Sequence, residues 1–571
     1  MTATGHIESI EHAAARSAVA LYASPLDVHN GRRTIVLGVI GLALIGISGQ
    51  LVRLATLQRI EPRAALAEPT TRAFLRPDIV DRNSRLLATD VSTPSLFADP
   101  TLIIDLDETV EQLGSALPGL DEADVRRTLA DRSRRFVWIR RGLVPVEAQR
   151  VHDKGLPGLG FRQEPKRVYP NGSLGGHVLG SVNVDNRGQA GIERHIDESI
   201  GVEGVSGMAP ARQAPVRLSL DLGVQQAVTD ELAAAIERHR AKAATGLVMD
   251  ALTGEIVASV SLPGVDPNRP ATALEATRAD RLHAGVFELG SIFKAVTIAQ
   301  AIDERIVTLD STIDVTKAIE IGRYKIRDHY PSPGPLTVRD IFLHSSNVGA
   351  GRLALSVGAT RQKAFLAKLG LTEPMRTEVG LVAAPMLPKN WGEIETVTIG
   401  YGHGLALAPV QFAAAAATLI NGGTRVAPTF VRLIGDPNPG ERLISAEASA
   451  AQREIWRLNV AAPQGTGKRA DVPGLRVGGK TGTAEIPGVG GYQAKAVIAS
   501  FVAALPMEAP RWLILVSVFE PQGTPETKNA ITAAHNAAPT TSRIVARIAP
   551  ILGVLPRRLE ARAEAKPGTE P

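Results

Sequence analysis

Gly474-Leu-Arg-Val-Gly-Gly-Lys-Thr-Gly-Thr-Ala484 admits two readings that lead to different folds. Its first eight residues match G-x-x-x-x-G-K-T, the loop that cradles phosphate between a strand and a helix. Such a loop needs a buried apolar strand before it and a helix starting at the lysine, so that backbone N–H groups converge on the anion. Upstream, Gln464 to Pro473 is polar and broken by Gly and Pro, and downstream Gly482, Pro487, Gly488, Gly490 and Gly491 interrupt any helix within its first turns. Read instead as a strand, Gly479 to Ala484 puts Lys480 and Gly482 on one face, Thr481 and Thr483 on the other. A lysine beside hydroxyls can hold a carboxylate by charge and hydrogen bonds. Gly482 leaves room for another backbone or a ligand. The strand reading is the one that the flanking residues permit.

Two clusters upstream supply partners for it. In Gly285-Val-Phe-Glu-Leu-Gly-Ser-Ile-Phe-Lys294, a glycine precedes a serine that opens an apolar helix over Ile292 to Ile302. Ser291 and Lys294 are i and i+3, neighbours on one helix face. Ser291 sits at the positive end of the helix, where its own N–H can stabilise an oxyanion. Beside Ile292, Phe293 and Val296, desolvation favours the neutral, basic form of Lys294. The plainer meaning of S-x-x-K alone is a capping serine and a lysine reaching for solvent. Leu343-His-Ser-Ser-Asn-Val-Gly349 is a polar knot before a helix from Gly349 to Val357, and it too reads as a helix cap when taken alone. Together, however, the chain has S-x-x-K, S-x-N and K-T-G in that order, separated by 54 and 135 residues, a set belonging to penicillin-binding proteins and related β-lactamases.

With these residues the sequence resembles a class B penicillin-binding protein, and most of all the septal, FtsI-type D,D-transpeptidases of bacterial cell division. The resemblance runs over nearly the whole chain after residue 30. Arg76-Pro-Asp-Ile-Val-Asp-Arg-Asn-Ser84 is similar to that family's R-G-x-I-x-D-R-N-G segment, and Arg167-Val-Tyr-Pro170 through Gly191-Ile-Glu193 to its second pedestal segment. Gly400-Tyr-Gly402, Asn421-Gly-Gly423 and Gly465-Thr466 also stand where the family has them. Pro77 and Ser84 replace usual glycines, and Leu289 a frequent proline, which puts the local turns in question. Ser345-Ser346-Asn347 matches the division branch; the elongation branch often has S-x-D there. What the resemblance implies is an α+β fold, a penicillin-binding/β-lactamase-like domain with an antiparallel sheet flanked by helices, on an elongated pedestal. It implies Ser291 as nucleophile, Lys294 as base, Ser345 and Asn347 for proton relay and positioning, and Lys480, Thr481, Gly482 and Thr483 for the substrate carboxylate. Thr483 N–H joins Ser291 N–H at the oxyanion. Implied partners are peptidoglycan stem peptides, β-lactams as inhibitors, an FtsW-type lipid II glycosyltransferase and other divisome proteins. This chemistry calls for no metal or organic cofactor. A β-lactamase, a β-lactam sensor and an elongation-type relative are the alternatives.

Composition is that of a large globular protein with room for a sizeable core. The chain has 571 residues, 44% hydrophobic and 21% charged, enough for two to four domains. With no cysteine it excludes disulfides, Cys-ligated zinc, iron–sulfur clusters and thiol nucleophiles. A net charge of +5 from 63 basic and 58 acidic residues argues against a dedicated nucleic-acid binder. The five arginines around Phe136 and Trp138 in Asp131 to Arg141 read better as an exposed strand face than as a nucleic-acid patch.

Thr34 to Val52 runs 19 residues without a charge, eleven of them Leu, Ile or Val. At ~0.3–0.6 kcal/mol each that favours insertion by roughly 3–7 kcal/mol, and the run just spans a hydrocarbon core. No A-x-A-like cleavage site follows. Arginines flank both ends, so charge leaves the orientation open. The expected organisation is a cytoplasmic tail (1–33), a single anchor in the bacterial cytoplasmic membrane (34–52) and a pedestal (53–212). A linker at 205–215 leads into a transpeptidase domain (213–555), followed by a disordered tail (556–571). Further expectations are a helix over Gln225 to Arg240, a β-hairpin over 246–261 centred on Thr253-Gly254, a strand over Arg511 to Phe519 and a last helix over Thr541 to Ile548.

Overall fold

The computed structural model describes residues 38, 41–50, 76–199, 214–435, 440–488 and 491–556. The chain divides into two units, 1–72 and 73–571. In the first, residues 38 and 41–50 are helical; among the described residues no helix is long and apolar enough to cross a membrane. The rest of the expected span 34–52, the tail 1–33, nearly all of the linker and the tail after 556 lie outside the described residues.

In the second unit, residues 76–199 gather on a long strand, β1 (Leu86–Ala98). Helices α1 (Leu106–Ala116) and α2 (Glu122–Ala130) start at Asp105 and Asp121, whose carboxylates accept from Glu108 N and Asp124 N, both at 3.0 Å. Strands β2 (Val137–Arg140) and β3 (Leu159–Val168) pair antiparallel with β1. Leu96, Leu113, Leu117, Leu129 and Val137 form the core between them. The stretch 131–141 departs from the expected exposed face. Phe136 lies before the strand and stacks on Phe97 at 4.9 Å and edge-on to Trp138, while Arg134 and Arg141 pair with Asp131 and Glu164. Both rings are half-buried, Phe136 against Phe97 on β1 and Trp138 against the edge of Phe136.

A buried ion network ties 76–90 to α3 (Gly191–Ser199). Glu193 receives Arg76 Nε on one oxygen at 2.8 Å and Arg167 Nε on the other at 2.6 Å; Asp197 and Asp90 take the outer nitrogens. Asp81 closes the next turn by accepting from Asn83 N and Arg85 N and, through its second oxygen, from Leu222 N. That turn puts Ser84 at φ +67°, the left-handed region that glycine occupies without strain. We therefore expect Ser84→Gly to stabilise the protein by about 0.5–1 kcal/mol, read as a raised unfolding midpoint; a lowered midpoint would contradict it.

From residue 222 onward a five-stranded sheet organises the chain. Helix α4 (Leu222–His239) is capped by Asp221, which accepts from Gly223 N at 2.8 Å. Strands β4 (Ala243–Asp250) and β5 (Ile256–Leu262) make the expected hairpin, with Gly254 N donating to Asp250 O and Gly254 at φ +81°. β6 (Gly478–Gly488), β7 (Gly491–Leu505) and β8 (Trp512–Phe519) complete it in the order β6-β7-β8-β4-β5, antiparallel throughout. β8 is buried on both sides. Leu513 and Leu515 share a core with α5 (Lys294–Asp303), α6 (Val338–His344), α7 (Asn347–Val357), α8 (Pro409–Ile420) and α9 (Ala446–Ala461). Ile514, Val516 and Val518 meet α4 and α10 (Ala537–Ile551). Covered on both faces, it reads as a continuous apolar run although its pairing is antiparallel. α5 is buried from Lys294 to Ile302, each buried Ile or Val adding roughly 1.5–3 kcal/mol. α8, with five consecutive alanines at 413–417, is buried at every residue.

Candidate active site

The G-K-T stretch is a strand from Gly478 onward, with no helix at the lysine, so the phosphate-loop reading fails. Its Gly482 does what its smallness predicts. A Cβ there would lie 2.5 Å from Leu289 O and 2.9 Å from the Ile292 side chain, so β6 seats directly on the turn that carries Ser291.

That turn is a short 3-10 segment, Gly290–Phe293, passing into α5 at Lys294. Gly290 takes φ +58° and donates its N–H to Gly402 O, while Thr297 Oγ1 donates to Gly400 O. The Gly400-Tyr-Gly402 segment thus backs the start of the helix. Ser291 makes no capping bond, and Lys294, fully buried, does not reach solvent. Both features of the plainer reading of S-x-x-K are therefore absent.

Lys294 Nζ is the hub. It donates to Ser291 Oγ at 2.7 Å, Asn347 Oδ1 at 2.7 Å, Ser345 O at 2.8 Å and Ser345 Oγ at 3.1 Å. Ser345 is the C-cap of α6 and lies at φ +60°, which presents its carbonyl and hydroxyl to the same amine. Ser346 is the cap the plainer reading foresaw, accepting from Gly349 N at 2.8 Å. One knot of residues thus divides its work: 345 and 347 face Lys294, and 346 starts α7.

Lys480, also fully buried, donates to Ser345 Oγ at 3.0 Å and to Thr481 O at 3.1 Å, and lies over the Phe342 ring. One hydroxyl therefore stands between two amines. Thr481 Oγ1 donates to Thr466 Oγ1 at 2.8 Å, and Thr483 Oγ1 accepts from Ala533 N at 3.1 Å. Burial holds the Lys294 ammonium well below the usual lysine range, and the nearby Lys480 pushes it the same way. Burial alone lowers Lys480 to about 7. All eight residues singled out from the sequence gather here, with the Ser291 hydroxyl 2.7 Å from a buried amine whose pKa burial lowers.

Three supporting residues carried no sequence signal of their own. Asn459 Nδ2 donates to Gly479 O and its Oδ1 accepts from Thr466 N, which clamps the Gly465-Thr466 turn onto β6. Phe342 and Asp328 are the others; a lone residue of these types is unremarkable until the fold brings it to the site.

A serine hydrogen-bonded to a buried lysine, beside an antiparallel sheet with helices on both faces, points to a class of protein, and comparison with known proteins narrows it. Residues 244–544 match the penicillin binding protein transpeptidase domain, and residues 73–208 the penicillin-binding protein dimerisation domain. The chain belongs to the penicillin-binding protein transpeptidase family. It is 36% identical over 95% of its length, and 92% of the relative's, to "Probable peptidoglycan D,D-transpeptidase FtsI" of Caulobacter vibrioides. It is 29% identical to "Peptidoglycan D,D-transpeptidase FtsI" of Escherichia coli K12, covering 86% of this chain and 88% of the other. Among solved structures, penicillin-binding protein 3 of Mycobacterium tuberculosis, complexed with aztreonam, superposes with a TM-score of 0.65 at 23% identity. That match covers 84% of this chain and 97% of the other and speaks for the fold.

Proposed function

We propose that the protein is a peptidoglycan D,D-transpeptidase that cross-links stem peptides in septal wall synthesis and binds penicillin. The observation that carries this reading is Lys294 Nζ at 2.7 Å from both Ser291 Oγ and Asn347 Oδ1, with Ser345 Oγ bridging to Lys480. Ser291 Oγ attacks the carbonyl between the two terminal D-alanines while Lys294 takes its proton. Backbone N–H groups of Ser291 and Thr483 hold the oxyanion. Ser345 passes a proton to the departing D-alanine, and Asn347 orients Lys294 and the substrate. Lys480, Thr481 and Thr483 hold the terminal carboxylate, over a strand that Gly482 lets lie close. The acyl group then moves from Ser291 to an amine on a neighbouring stem.

In this reading residues 1–33 are a cytoplasmic tail and 34–52 a single anchor in the bacterial cytoplasmic membrane. Residues 53–212 form a pedestal and 213–555 the transpeptidase domain, both outside, where an FtsW-type glycosyltransferase and other divisome proteins meet the anchor and pedestal.

Incubation with a fluorescent penicillin tests the chemistry. Wild-type protein should carry a stable label for hours and Ser291→Ala none. Rapid loss of label makes the protein a β-lactamase, and no label on folded wild type overturns the assignment of the site.

A further inference from the structure

We propose that Asp328, outside all three motifs, is a positioning residue of this site: its carboxylate fixes the turn carrying Ser345 and Asn347 and sets a negative charge facing Lys294. The proposal rests on the acyl-transfer reading above. Asp328 lies 17 residues before Ser345, beyond the short strand Tyr324–Ile326. Oδ1 accepts from Asn347 N at 2.5 Å and from Val348 N at 2.9 Å, while Oδ2 accepts from Ser346 Oγ at 2.6 Å. Three consecutive residues of the S-x-N segment and the helix start are thereby tied to one carboxylate.

The need for such a tie follows from Ser345. A non-glycine residue in the left-handed region is strained and persists only where its surroundings over-determine it. Upstream, Ser345 N donates to Phe342 O, and Ser346 N donates to Ile341 O. Downstream, Asp328 supplies the hold. Its two amide bonds satisfy donors at the first turn of α7 that the helix itself leaves unpaired, and a negative charge is favoured there. Without it, the turn can relax toward ordinary backbone angles, which withdraws Ser345 Oγ and Asn347 Oδ1 from Lys294.

The second consequence is electrostatic. Three charged or titratable groups from different elements face Lys294: Lys480 on β6, Asp328, and His403 after the Gly400-Tyr-Gly402 segment, itself near Glu288 and Glu485. Lys480 favours the neutral amine and Asp328 the ammonium. Asp328 therefore offsets part of the lowering that burial and Lys480 impose on the amine.

The test measures the second-order rate of penicillin acylation from pH 5 to 9 for wild type, Asp328→Asn and Asp328→Ala, with thermal unfolding of each. Asp328→Ala should be slowed ~10-fold or more, Asp328→Asn less, since its amide oxygen can still accept one bond. In both, the acidic limb of the pH profile should move to lower pH, because the charge that favours protonated Lys294 is gone. A structural role alone would lower the melting temperature and leave that limb in place. Variants that acylate within twofold of wild type, or an unmoved limb, overturn the proposal while the labelled wild type leaves the transpeptidase reading intact. Folded wild type that takes no label overturns both.

Discussion

Replacing Lys294 by methionine should give a folded protein that acylates ~10²–10⁴-fold more slowly, the usual contribution of a positioned general base. Methionine fills much of the same volume at a fully buried position, and it removes the one amine that Ser291 Oγ, Ser345 and Asn347 share. The pH dependence has a definite sign. In the proposed mechanism Lys294 takes the proton as the free amine, so the wild-type rate should fall as pH drops through its folded pKa. Burial and Lys480 place that midpoint well below the usual lysine range, and the methionine variant should lose the limb altogether. A variant within tenfold of wild type, or one that keeps the limb, would assign proton removal to another group. The two lysines also make the site respond to its substrate. A bound carboxylate raises Lys480 from its buried value of about 7 toward full charge, and a charged Lys480 favours the neutral form of Lys294.

Glu193→Ala should be the most damaging change away from the site, costing about 3–5 kcal/mol. The glutamate is fully buried between two arginines whose side chains are fully buried as well, and its loss strands both guanidinium groups. Asp197 and Asp90 still contact them, which places the expectation at the lower end of that range. Urea unfolding of the alanine and glutamine variants measures it, with glutamine intermediate because it can still accept hydrogen bonds. A midpoint unchanged by either would mean that the aspartates alone satisfy the pair.

Much of the sheet was legible because its strands are long and strongly patterned. The hairpin announced itself through Thr253-Gly254, and β8 through eight apolar or small residues in a row. That the eight candidate residues lie together was legible for a different reason: three short motifs at large separations have few meanings in combination. What stayed hidden is what depends on distance in the chain. Arg76 and Arg167 were noticed within segments resembling the family, but their meeting at Glu193 spans 117 and 26 residues. Asp328 sits in Arg327-Asp328-His329, which alone reads as a polar loop. The helix expected from Ile292 begins instead as a 3-10 turn, because Gly290 and the strand pressed against it tighten the backbone there.

The alanine run of α8 bears on how the enzyme can change. Residues 413–417 leave no side chain that can rotate aside, so any larger residue there must displace a neighbouring element, α5 among them. Variants of this protein that still fold should therefore keep alanine or glycine at 413–417 unless a second change in a neighbouring element makes room.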